Sequence, residues 1–110
     1  MSDIDWSQKR TALDKIREQA DAANALWKSE RAAAVSQIIV EVDGLVFNGD
    51  ELSQTRMARA VAAADSLEQR VAWTLADNTV VFVTATQLKK ALYLAGGRQT
   101  EIWSAGRPLV

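Results

Sequence analysis

Gly44-Leu45-Val46-Phe47-Asn48-Gly49-Asp50-Glu51-Leu52-Ser53-Gln54-Thr55-Arg56-Met57 carries the chain from a β-hairpin into a helix. Just upstream, Ile38, Val40 and Val42 alternate with Ile39, Glu41 and Asp43, the period of a half-buried strand. Asp43-Gly44 is a type I′ turn signal, because both central residues of that turn need positive φ. Leu45 and Phe47 then return on one face. Asp50 stands where a helix N-cap belongs, with Ser53 three residues on, where a side chain can bond back. Met57, Ala60, Val61 and Ala64 follow at helical spacing as a small-residue apolar face closed by Leu67. The predicted helix covers about residues 51–68.

The same grammar repeats downstream. Val71, Trp73 and Leu75 alternate with Ala72, Thr74 and Ala76, and Asp77-Asn78 makes the turn. Val80-Val81-Phe82-Val83 is a continuous apolar run, which reads as a strand buried on both faces. On this phasing Trp73, Phe82, Val61 and Leu88 pack together in the core. Thr84-Ala85-Thr86-Gln87 is a capping box of the T-x-x-Q kind, and Leu88, Ala91, Leu92 and Ala95 give the helix behind it. Gly96-Gly97 either ends that helix or lets it resume to Trp103, and Gly106-Arg107-Pro108 stops it.

Residues 5–34 hold no Gly or Pro and are rich in Ala, Lys, Arg, Glu and Gln, all good helix formers. Trp6, Leu13, Ala20, Trp27 and Ala34 recur every seven residues, with Ile16 and Ala23 between them. These form a heptad seam, spoiled at its outer positions by Lys9 and Glu30. A helix of that length, about 45 Å at 1.5 Å per residue, overhangs any core the rest of the chain can build. The order is α-ββ-α-ββ-α and the class is α+β. Residues 1–34 form an N-terminal helix suited to oligomerisation or docking, and residues 35–110 form a small α+β domain.

Composition narrows the function. The chain has 110 residues, 48% of them apolar and 25% charged, with a net charge of −1. That balance gives no basic stripe for nucleic acid and no attraction to an anionic membrane surface. No run approaches the ~18–20 apolar residues that span a bilayer. The acidic start, Met1-Ser2-Asp3-Ile4-Asp5-Trp6, is not a signal peptide. There is no Cys and no His. This removes thiol nucleophiles, Ser–His and Cys–His dyads and nearly all structural zinc sites. No catalytic residue, cofactor or metal ligand is expected.

Local patterns that mimic sites have simpler readings. Asn48-Gly49-Asp50 lacks the spacing of a Ca²⁺ loop, and Gly96-Gly97-Arg98 lacks the frame of a phosphate loop. Lys89-Lys90 is the polar face of the last helix. Arg56 is expected to pair with Asp50 or Glu51. Trp73 belongs to the core, whereas Trp6 and Trp27, near helix ends, are candidate interface anchors. The partner surface read from the residues is Trp6, Leu13, Ile16, Ala20, Ala23 and Trp27.

The quoted stretch also fits the pattern G-x-x-F-x-x-D-x-x-S-x-x-R-M, carried by Gly44, Phe47, Asp50, Ser53, Arg56 and Met57. With Val71-Ala72-Trp73, Asp77 and Thr84, it resembles a small domain of unknown function in tailed-phage and prophage tail-fibre-associated and tail-fibre-assembly proteins. The resemblance runs from Lys28 to Trp103. It implies no catalytic residues. It implies a virion or tail component, in a fibre or baseplate, whose partners are other tail proteins or itself as a dimer or trimer. Its place would be the virion tail, or the host cytoplasm during assembly. The alternative is a phage-encoded assembly chaperone or host-directed inhibitor absent from the finished particle.

Overall fold

A computed structural model describes the backbone of residues 2–105 and the side chains of residues 14–105. The order is α1 (Ser2–Ser36), β1 (Ile39–Val42), β2 (Leu45–Asn48), α2 (Glu51–Ala63), β3 (Arg70–Thr74), β4 (Val80–Thr84) and α3 (Ala85–Ser104). This is the α+β arrangement that the sequence predicts. The strands form two antiparallel two-stranded sheets, β1–β2 and β3–β4.

The turns follow their local chemistry. Asp43 (φ 53°) and Gly44 (φ 79°) both take positive φ, which brings Val42 opposite Leu45 and Val40 opposite Phe47. In the second hairpin Asn78 alone is left-handed, at φ 68°. Its N–H donates to the Leu75 carbonyl at 3.0 Å, and Leu75 N–H donates to the Thr79 carbonyl at 2.8 Å. That is a three-residue connection, a type I turn closed by a left-handed residue. The Asp77 carboxylate accepts from Thr79 N–H at 3.0 Å and from Thr79 Oγ1 at 2.6 Å. Those bonds, the hydroxyl's first, hold its pKa below the ordinary 3.8. The two hairpins are joined where Ala76 N–H donates to the Val46 carbonyl at 3.0 Å.

The main core comprises Val42, Phe47, Met57, Leu75, Val83, Leu88 and Ala91. It lies where the inner faces of both hairpins meet α2 and α3. Trp73, Val61 and Val81 are partly buried against it. Phe82 is not in the core: it is 73% exposed, and Val80 beside it is exposed too. The β3–β4 ribbon has one covered face only, so the apolar run splits by strand period, with Val83 inside and Phe82 outside.

Helix α2 ends at Ala63, short of the predicted 68. The Leu67 carbonyl accepts from both the N–H and the hydroxyl of Thr86, each at 3.1 Å. The Gln69 carbonyl accepts from Ala85 N–H at 3.1 Å, and the Gln69 side chain accepts from Asp65 N–H at 2.7 Å. These bonds draw the segment across to the start of α3, where a continued helix cannot reach. Leu67 therefore sits exposed on a loop and does not close the α2 face.

At the head of α2 the backbone of Asp50 is in the extended N-cap conformation, but its carboxylate accepts no backbone N–H. It accepts the hydroxyl of Ser53 instead. The head of α2 is tied to α3 by amides. Gln54 Nε2 donates to the Gly49 carbonyl (2.9 Å) and to Gln99 Oε1 (2.7 Å), and Gln99 Nε2 donates to Glu51 (2.7 Å). Helix α3 runs unbroken through Gly96-Gly97. Its start is the predicted capping box, with Thr84 and Gln87 each bonding the other's backbone N–H, at 3.2 and 2.9 Å.

Among the described residues, helix α1 meets the body over its last turns, from Trp27 onward. Val35 and Ile38 pack on Ala95, with Ile102 alongside. The radius of gyration is 22.0 Å and the longest dimension 78 Å, against about 13 Å expected for the radius of a compact chain of this size. The excess is the projecting helix.

Candidate interaction surfaces

The sequence assigns a seam on α1. Of its members, the side chains of Trp6 and Leu13 lie outside the described residues. Ile16 is 64% exposed, Ala20 and Ala23 are half-buried, and Leu26, off the seam by one residue, is also exposed. Trp27 is held within the chain. Its Nε1–H donates to the Ala105 carbonyl at 3.1 Å. Its ring takes the Arg31 guanidinium at 4.6 Å, and that guanidinium stands 4.7 Å from the Trp103 ring. One cation between two indoles thus clasps α1 to the C-terminal turn of α3. Before the clasp, Ile16 and Leu26 of α1 stand in solvent.

The residues of the family-like pattern divide in two. Phe47 and Met57 are fully buried, Gly44 serves its turn, and Thr84 caps α3. Ser53, Arg56 and Trp73 line a polar cleft of about 370 Å³, with Asn48, Thr74 and Asn78. The cleft is lined by the end of β2, by β3 and its turn, and by the first turns of α2. Among the described residues Arg56 pairs with neither Asp50 nor Glu51, contrary to expectation. The ion pair seen there is Arg98–Glu101 at 3.0 Å. Arg56 sits five and six residues past its expected partners, about one and a half turns and off their face of the helix, and their side chains are drawn instead to Ser53 and Gln99.

A second surface escaped the sequence reading. Two grooves, of about 640 and 450 Å³, share Glu41, Tyr93 and Leu94 and run between β1 and α3. Tyr93 is 81% exposed and Ile39 60%, and Leu94 and Leu67 are also exposed. The signal for it was the run Ala91-Leu92-Tyr93-Leu94-Ala95. Successive helix residues are about 100° apart, so five apolar residues in a row encircle the helix and cannot all face one core.

No group of three His, Cys, Asp or Glu that could hold a metal occurs among the described residues. No described helix is long and apolar enough to cross a membrane. The family model described as a domain of unknown function (DUF4376) matches residues 7–107, taking in most of α1 as well as the α+β body. No curated protein and no solved structure matches the chain.

Proposed function

The chain belongs to the DUF4376 family, and from the geometry of its surfaces we propose that it is a non-enzymatic attachment or assembly module that works through α1. The observation that carries this reading is the overhang. A helix of 35 residues docks by its last turns and leaves Ile16 and Leu26 in solvent. A helix with so thin a stripe is marginal in water without a partner, and Ala20 and Ala23 let a second helix approach closely. The lack of Cys and His supports the non-enzymatic part.

The setting we propose is a phage tail, where α1 attaches to a fibre or baseplate protein or to further copies of this chain as a dimer or trimer. The pattern from Gly44 to Met57 and its resemblance to tail-fibre-associated domains support that setting. Mass spectrometry of purified particles tests it, with the chain expected at stoichiometric level. Absence from the particle would favour an assembly chaperone. Ile16→Asp with Leu26→Asp tests the role of α1. Partner binding or self-association should be lost while the melting temperature of the body holds. Retained association would refute the assignment of α1.

A further inference from the structure

The outer edge of β1 is open, and grooves lined by β1 and α3 run beside it. The bond from Gly49 N–H to the Ile38 carbonyl, 2.7 Å, closes the base of the first hairpin. With the pairs Val40–Phe47 and Val42–Leu45, it sets which residues of β1 point their backbone groups at β2. In an antiparallel ladder these alternate, so Ile39 and Glu41 turn their N–H and C=O groups away from the hairpin. Among the described residues no bond from outside the hairpin meets them. The other edge differs, since on β2 the outward carbonyl of Val46 is taken by Ala76.

We propose that two copies of the chain pair antiparallel along β1, about a two-fold axis at Val40, making a four-stranded sheet β2–β1–β1–β2. This surface is separate from α1, so the inference goes beyond the reading of α1 as the attachment element. Three observations select a second copy over an unrelated strand. The free groups lie at Ile39 and Glu41, symmetric about Val40. A two-fold axis there sets Ile39 opposite Glu41 of the other copy on both sides, and each such pair exchanges two hydrogen bonds. The larger groove carries both signs of charge, Glu41 against Lys89 and Lys90, while Glu101 is already paired with Arg98; mixed charge of this kind is what a self-complementary surface requires. The large apolar side chains left in solvent here, Ile39, Tyr93 and Leu94, flank the edge from the strand and from α3. The same operation sets Ile39 diagonally across the axis from its own copy, within reach of a long side chain.

The test uses the full chain and two readouts. Light scattering should give a mass of at least twice the 12.0 kDa of the chain, reduced by Tyr93→Asp and by Ile39→Lys while both variants keep the circular dichroism spectrum of the folded chain. Hydrogen exchange should show the Ile39 and Glu41 amides slow in the wild type and at least tenfold faster in Tyr93→Asp. The Ile16→Asp, Leu26→Asp variant should keep that protection. A monomeric wild type, fast exchange at both amides in the wild type, or a mass insensitive to Tyr93→Asp would each overturn the proposal. Assembly lost in the α1 variant but kept in Tyr93→Asp would overturn it while leaving the α1 reading intact.

Discussion

The indole N–H of Trp27 donates to the main-chain carbonyl of Ala105, 78 residues away, at 3.1 Å. This bond fixes the point where α1 stops belonging to the body. On one side lie Val35 and Ile38 against Ala95, and on the other Ile16 and Leu26 stand in solvent.

Removing the cation of the clasp should loosen that point without unfolding the core. Arg31→Ala loses two ring contacts, each worth about 0.5–1 kcal/mol at an exposed site. Faster proteolysis within residues 20–36, with a far smaller change in the body, is the expected result. Equal sensitivity in both regions would show that α1 and the body unfold as one.

Gly49 should tolerate no side chain. A Cβ there would stand 2.6 Å from Ile38 Cγ2 and 2.9 Å from Ala95 Cβ. Gly49→Ala is expected to cost about 1–3 kcal/mol through overpacking, read as a shift in denaturation midpoint. Gly97→Ala meets nothing within 4 Å inside a helix and should be neutral or stabilising, by up to about 1 kcal/mol.

Leu88 and Phe82 should separate sharply on substitution. Leu88 is fully buried, and Leu88→Ala should cost about 2–5 kcal/mol. Phe82→Ala, at an exposed position, should stay within about 0.5 kcal/mol of wild type. Comparable losses for the two in urea titrations would place Phe82 against a partner or in the core.

The two helix starts should differ as well. Thr84→Ala breaks a capping box formed in both directions and should cost about 0.5–2 kcal/mol. Asp50→Ala removes a carboxylate bonded to Ser53 and to no backbone N–H, so its loss should fall below that of Thr84→Ala under the same conditions.

Asp77 gives a pH dependence. Its folded pKa is depressed by the Thr79 hydroxyl and N–H, so its contribution is fully present above the ordinary carboxylate pKa. It fades as pH falls through the depressed folded value. Asp77→Asn should therefore flatten the acid limb of the stability profile below about pH 4. An unchanged limb would assign the acid sensitivity to other carboxylates.

What could be read from the sequence was what is decided within a few residues. Asp43-Gly44 takes positive φ because the two-residue turn demands it, and Thr84 meets Gln87 because one helical turn brings them together. Phe82 was misread because exposure depends on what lies across the ribbon, and nothing in Val80–Val83 says that one face stays bare. The end of α2 was misread because Leu67 and Gln69 are claimed by Thr86 and Ala85 from another element. The exposure of Ile16 on α1 followed from the helix's length. The β1 edge did not, since an edge is defined by the strand that is missing beside it.

The clasp also turns α1 into a lever of fixed phase. Because the helix is continuous from Ser2 into the docked turns, the direction its free end faces is locked to the body. Inserting one residue between Ile16 and Trp27 would swing everything before it by about 100°, while inserting seven would leave the heading within about 20° and add about 10 Å of reach. Whatever grips the far end is thereby told both the distance and the bearing of the α+β body.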